Sequence, residues 1–484
     1  PSRTGAFAAT LASVLALSLT ACGGGGSSPT PPATGGGTST PTPTTGTGAC
    51  AITQQLEFAD DVLDQWYLFP DLLDNTVQIS GFSDVQSYLD ARVAPARAQS
   101  IDRGFTFATS IAEENALINS GASAGFGVRL AFSGDRVFIL EAFEAGNAFA
   151  AGIDRGTELL AIGTSANNLQ TVASLIASGG AQAVSNALGP SDPGVVRTLQ
   201  FAPAGGGTIT ADVTKSEFSL DPISDRYGAL ILNNGGTQVG YINLRTFIVG
   251  DASNQLRAAF EQFSAQGITD LVIDLRYNGG GLVRVADTFG DLLNSGRSGQ
   301  VWSETVFRES QSQENSTRRI QTELSAIAPS RIAFIGRGGT ASASELVINS
   351  MIPYLGDAEL ALVGANTFGK PVGQSGFDLP DCDLRVRATT FQTNNADGDG
   401  EYFTGLASVV PNFCPADDDI LTPLGDAGEA SIASALSFLS NGQCPSTAEP
   451  DKSAGASEAQ RLPERQILQP ERPNAAQYEI PGLF

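Results

Sequence analysis

Apolar side chains recur every three or four positions at Ile52, Leu56, Ala59, Leu63 and Trp66, so Cys50 to Asp71 is expected to open with an amphipathic helix. A helical region, 50–119 as a whole, follows from this start. The pattern then shortens to that of strands: Gly125-Phe126-Gly127-Val128-Arg129-Leu130 begins one and Arg136-Val137-Phe138-Ile139-Leu140 reads as a second. From Gly240 onward strands and helices alternate. Tyr241-Ile242-Asn243-Leu244 predicts a strand, Leu256, Phe260 and Phe263 a helix face, and Leu271 to Leu275 a buried strand. After Gly279-Gly280-Gly281 a second helix turns Leu282, Val285, Ala286, Phe289, Leu292 and Leu293 inward. Strands at Ile332 to Ile335 and Ala361 to Val363 flank a helix that starts near Ser342. Repeated βα units imply an α/β core with parallel pairing, whose reactive residues fall at strand-to-helix turns.

The two ends read differently. Arg3 and the apolar run Ala6 to Leu19 have the form of an export signal, 1–21, too short to span a bilayer. Leu19-Thr20-Ala21-Cys22 resembles the lipobox of bacterial lipoproteins, which would make Cys22 the lipidated residue; a cleaved signal with a chance cysteine is the alternative. Residues 22–49 are almost wholly Gly, Ser, Thr and Pro, a flexible tether. Gly23 after the cysteine points, by resemblance to sorting rules, to the outer membrane, facing the periplasm. At the other end, 445–484 is rich in Pro, Glu, Gln and Ala without periodicity and reads as a disordered tail.

In an exported chain the even set Cys50, Cys382, Cys414 and Cys444 is expected to form two disulfides. Three pairings are open. Cys382 with Cys414 would close a loop, and Cys50 with Cys444 would tie the two ends of the folded region. A formal charge of -24 argues against nucleic acid as a partner. The acidic run Asn395 to Glu401 lacks the spacing of a calcium loop and reads as a solvated hairpin tip, so no metal is expected.

Candidate chemistry narrows sharply because the chain has no histidine. Ser-His and Cys-His mechanisms are therefore excluded. Its only lysines are Lys215, Lys370 and Lys452, and arginine does not deprotonate. Lys370, in Thr367-Phe368-Gly369-Lys370 after an apolar stretch, and Ser342, in Thr340-Ala341-Ser342-Ala343-Ser344-Glu345, make a natural base and nucleophile. Ser342-x-x-Glu345 is equally a capping box for the helix that follows, and the two roles are compatible.

Two resemblances rest on these strings. Gly125-Phe126-Gly127-Val128, joined to Ala151-Gly152-Ile153-Asp154-Arg155-Gly156-Thr157-Glu158-Leu159-Leu160-Ala161-Ile162, resembles a PDZ domain, expected over 120–215, whose loop captures a peptide end while the peptide adds as a strand. Asp274-Leu275-Arg276-Tyr277-Asn278-Gly279-Gly280-Gly281-Leu282, the Thr340 to Val347 string, and Thr367-Phe368-Gly369-Lys370-x-x-x-Gln374 together resemble the C-terminal processing peptidases, or tail-specific proteases. That resemblance implies a crotonase-like serine protease core over 216–444 with an inserted PDZ domain. It also implies Ser342 as nucleophile, Lys370 as general base, Gln374 as the residue that orients it, and an oxyanion hole from the amides of Ala343 and Gly280 or Gly281. No cofactor is implied. The expected function is a lipid-anchored endopeptidase of the bacterial cell envelope that cleaves polypeptides with accessible C-termini. The alternative is a non-catalytic peptide- or apolar-ligand-binding lipoprotein on the same fold; the oligomeric state is not readable.

Overall fold

The computed structural model describes residues 50–445 and 465–484. Cys22 and the segments read as an export signal and a tether lie outside the described residues. Among the described residues no helix is long and apolar enough to cross a membrane.

At the centre is a six-stranded sheet in the order Ala229–Asn234, Thr237–Asn243, Asp270–Asp274, Arg331–Gly336, Leu360–Gly364, Phe413–Pro415. Only the first pair is antiparallel. The βα alternation predicted from Gly240 onward is thus observed, because successive strand residues point to opposite faces that are both covered. Ile242, Ile273 and Phe334 pack under the helices Ala252–Ala265, Val283–Leu292 and Ala343–Met351. Tyr241, Val272 and Ala333 pack on the other face against Ile432, Ala435 and Phe438 of the helix Ala430–Asn441.

A second, five-stranded sheet is organised around the long strand Leu384–Asn394, which pairs with Phe107–Ser110, Val301–Phe307 and Val372–Leu379. The predicted first helix, Ile52–Trp66, lays Leu56, Ala59 and Leu63 on this sheet against Leu384, Val386 and Ala388. The acidic run forms a turn rather than a hairpin tip. Its Asn395 is buried, and that side chain accepts from the amides of Asp397 and Asp399 while donating to Asn349.

A third unit hangs on a two-stranded antiparallel stem, Ala122–Gly125 with Ser216–Ser219. Between the stem strands lie Val128–Ser133, Arg136–Ala142, Glu158–Gly163, Val196–Ala202 and Ile209–Thr214, with the helix Val172–Leu188 over them. Buried charges fasten this module to the core. Arg155 reaches Asp418 at 2.9 Å, Arg245 reaches Glu141 at 2.7 Å and Glu144 at 2.9 Å, and Tyr227 donates to Glu141 at 2.7 Å.

The four cysteines form the two expected disulfides, Cys50–Cys382 and Cys414–Cys444, which is one of the three open pairings. One staples the first helix to the edge of the second sheet; the other joins the last central strand to the loop after the helix Ala430–Asn441. Residues 465–484, read as disordered, are built into the molecule. Gln466–Ile467 pairs antiparallel with Ala131 and Phe132, and Ala475–Glu479 is a helix capped by Asn474. Composition misled here because most of the segment's bonds use main chain, which leaves no side-chain period.

Candidate active site

Ser342 follows the strand Arg331–Gly336 through a turn pinned to its neighbour. The Thr340 hydroxyl donates to the Leu275 carbonyl at 2.7 Å, the Ala341 amide to the Asn278 carbonyl at 3.1 Å, and the Ser344 hydroxyl to the same carbonyl at 2.9 Å. So held, Ser342 takes φ 54° and ψ -117°. A positive φ in a non-glycine residue is strained and persists only where surrounding bonds over-determine it. The result is a partly buried serine at the N-terminus of the buried helix Ala343–Met351, where the helix dipole favours negative charge.

Three residues along the helix, the fully buried Glu345 does more than cap. Its carboxylate accepts from the amides of Ser342 at 3.1 Å, Gly369 at 2.7 Å and Lys370 at 2.7 Å. Burial pushes this carboxyl above its ordinary range, against the lowering effect of those donors. One side chain therefore fastens the serine turn to the lysine loop. The Arg103 guanidinium lies over the Phe368 ring at 4.0 Å and donates to the Phe368 and Gly369 carbonyls, holding the loop from its other side. The sequence offered one signal for Glu345, the capping box, and that signal did not reveal the second attachment.

Lys370 precedes the strand Val372–Leu379. Its ammonium donates to Gln374 Oε1 at 2.7 Å and sits 4.8 Å from the centre of the Phe105 ring. Gln374 in turn donates to the Phe105 carbonyl. That carbonyl is set by the buried Asp102, which accepts from the amides of Phe105 and Thr106 and the hydroxyls of Thr106 and Tyr67. Burial holds Lys370 below the ordinary lysine value; Glu479, Asp102 and Glu345 oppose the shift and Arg387 adds to it. Pro371 keeps the backbone of Lys370 out of the helical region.

The glycine turn closes the site from the neighbouring strand end. A methyl group on Gly280 would come within 2.8 Å of Ser342 Cβ and 2.9 Å of the Ala343 nitrogen, so only glycine allows this approach. The Gly280 amide itself donates to Asn278 Oδ1 at 2.9 Å.

Gly125, Phe126, Gly127 and Val128 lie in the module, apart from Ser342 in sequence, and they are occupied. The amides of Gly127 and Val128 donate to the Phe484 carbonyl oxygen at 2.9 and 3.2 Å, and the Phe484 amide donates to the Val128 carbonyl at 2.9 Å. The structure thus brings Ser342, Lys370, Gln374, Ala343 and the glycines to one place, and the Gly125 to Val128 loop to a second place that binds an added strand.

Residues 238–407 match Peptidase family S41. Over 288 residues the chain is 27% identical to a chloroplastic C-terminal processing peptidase of Tetradesmus obliquus, covering 57% of each. Over 252 residues it is 27% identical to a carboxyl-terminal-processing protease of Picosynechococcus, covering 51% of this chain and 54% of that one. It spans a little over half the length of these curated relatives. A solved structure from Bacteroides fragilis, described as an S41 protease, shares the fold with a TM-score of 0.61 at 21% identity, over 79% of this chain and 97% of that one.

Proposed function

We propose, from the match of residues 238–407 to Peptidase family S41, that this chain is a serine endopeptidase acting through Ser342 and Lys370. Lys370 takes the Ser342 proton as Oγ bonds to the peptide carbonyl carbon. The same proton passes to the leaving amine as the C–N bond breaks, and water then hydrolyses the acyl-enzyme. Gln374 orients the lysine. The Ala343 amide is one oxyanion donor; Gly281 is the other, since the Gly280 amide is engaged by Asn278. The module over 120–215 serves as a PDZ domain that captures apolar polypeptide ends by strand addition at Gly125 to Val128. The lipobox-like string at Cys22 supports lipid anchoring in the bacterial cell envelope.

One observation carries this reading: Glu345 joins a strained serine to a lysine loop in a chain without histidine. The test is an acylating serine reagent on the purified protein, mapped by mass spectrometry. Label on Ser342, lost in Ser342→Ala together with at least about 10³-fold in hydrolysis of an unstructured substrate, is the expected result. Undiminished cleavage by Ser342→Ala would end the reading.

A further inference from the structure

Residues 465–484 lie along the whole path that a captured polypeptide would take. At the groove, the Leu130 amide donates to the Gly482 carbonyl at 2.9 Å and the Leu468 amide to the Leu130 carbonyl at 3.0 Å, beside the three bonds of Phe484. Phe484 is 2% exposed and belongs to the apolar cluster of Phe126, Val128, Leu130 and Ile139. Ile480 and Leu483 join Phe143, Phe218 and Ile248. Gln477 and Gln469 brace the turn, donating to the Leu483 carbonyl at 2.8 Å and accepting from the Gly482 amide at 3.0 Å.

From that groove the segment leads back to the reacting residues. A methyl group built on Gly279 would meet Pro481 Cδ at 3.1 Å and the Glu479 carbonyl oxygen at 3.2 Å. The next glycine along touches Ser342. Tyr478 stacks on Phe107 with ring centres 3.8 Å apart and planes 7° from parallel. The Glu479 carboxyl is buried among Lys370, Arg387 and Glu114, and burial raises it above its ordinary range.

We propose that residues 465–484 are an intramolecular pseudosubstrate, filling the strand-addition groove and the approach to Ser342 together, which an incoming polypeptide with a large apolar end must displace. The role of Ser342 and Lys370 in this rests on the reading given above. Both occupants need the amides of Gly127 and Val128, so they exclude each other. The segment blocks and is not cut, because the part nearest the reacting pair is a helix end followed by Pro481, whereas attack requires an extended peptide bond. A tether of this kind gives the resident segment an effective concentration on the order of millimolar, against which free polypeptides compete.

The test uses the full chain, its Phe484→Asp variant, and a chain lacking 465–484. Two readouts are taken: binding of a fluorescent peptide copying residues 475–484, and hydrolysis of unfolded casein. Both variants are expected to bind the peptide at least about 10-fold more tightly than the full chain and to hydrolyse casein several-fold faster. Added unlabelled peptide should return the deletion variant to the slow rate. Phe484→Asp alone decides the matter if the deletion fails to fold. Equal peptide binding and equal hydrolysis in all three would overturn the proposal, as would slower hydrolysis in folded variants. Tighter peptide binding in the variants, with no hydrolysis and no Ser342 labelling in any of the three proteins, would keep the resident segment and remove the hydrolytic reading instead.

Discussion

Around Ser342 three amides converge on one Glu345 carboxylate, whereas along Val128–Ser133 the bonds run from main chain to main chain. The first region depends on a few side chains that cannot be exchanged. The second asks of its occupant an extended backbone and an apolar residue at the right place. A site of the first kind fixes the chemistry, and a site of the second kind tolerates many sequences. The contrast also separates what substitutions should do: changes in the first region act on turnover, changes in the second on capture.

The sharpest test of that division is Lys370→Arg, which keeps the charge and removes the proposed base. Hydrolysis should fall at least about 10²-fold. On the proposed mechanism the deprotonated lysine is the active form, so the rate should climb with pH through a value below the ordinary 10.5. Glu479, Asp102 and Glu345 pull that value back up and Arg387 pushes it down. A flat pH profile, or an arginine variant with parental turnover, would make Lys370 structural.

Glu345→Gln follows. The amide keeps the size but brings two N–H donors and one acceptor oxygen to three N–H groups, leaving buried donors unmet. Turnover should drop by about 10- to 100-fold with KM little changed, and stability by about 1–3 kcal/mol. Steady-state kinetics with a thermal melt check both; a change confined to KM would place Glu345 in capture instead.

Gly125→Ala strikes the second region. Its methyl would lie 2.7 Å from the Phe484 carbonyl carbon. In the chain lacking 465–484, where no resident segment competes, KM for substrates with apolar ends should rise by about 10-fold while kcat stays within about twofold. Equal loss on amidated or charged-tail substrates would mean that the loop does not read polypeptide ends.

The least effect on turnover belongs to the disulfides. Cys50–Cys382 closes a separation of 332 residues and Cys414–Cys444 one of 30. On the chain-entropy argument, replacing the first pair by serines should cost about 2 kcal/mol more than replacing the second. Denaturant melts under non-reducing conditions measure the difference, and the reverse order would show that unfolded-chain entropy does not govern it.

The sequence is legible where a repeating side-chain pattern meets a buried surface. Ile242, Ile273 and Phe334 announced strands because each alternates with a residue on the opposite face, and Leu56, Ala59 and Leu63 a helix because they share one stripe. Ser342 and Lys370 stood out by the absence of histidine and the scarcity of lysine. Glu345 was visible only as a cap, since a contact to Gly369 and Lys370 depends on how a distant loop folds back. Cysteine pairing stayed open for the same reason: Cys50 meets Cys382 through the packing of a helix on a sheet, which spacing does not encode. The buried arginines at 155, 245 and 276 left no signal, because Asp418, Glu141 and Glu429 reach them from distant parts of the chain.

The paired stem has a consequence for how such a protein can change. Gly121 and Leu220 are adjacent, with the Leu220 amide donating to the Gly121 carbonyl at 2.8 Å. The chain leaves the core and re-enters it at one point, so the intervening unit can be lengthened, exchanged or excised without stretching the central sheet. What anchors the present unit is the arginine–carboxylate lattice beyond the stem. A grafted replacement would inherit the central core intact and would have to bring its own fasteners, making those few charged positions the compatibility code for domain exchange.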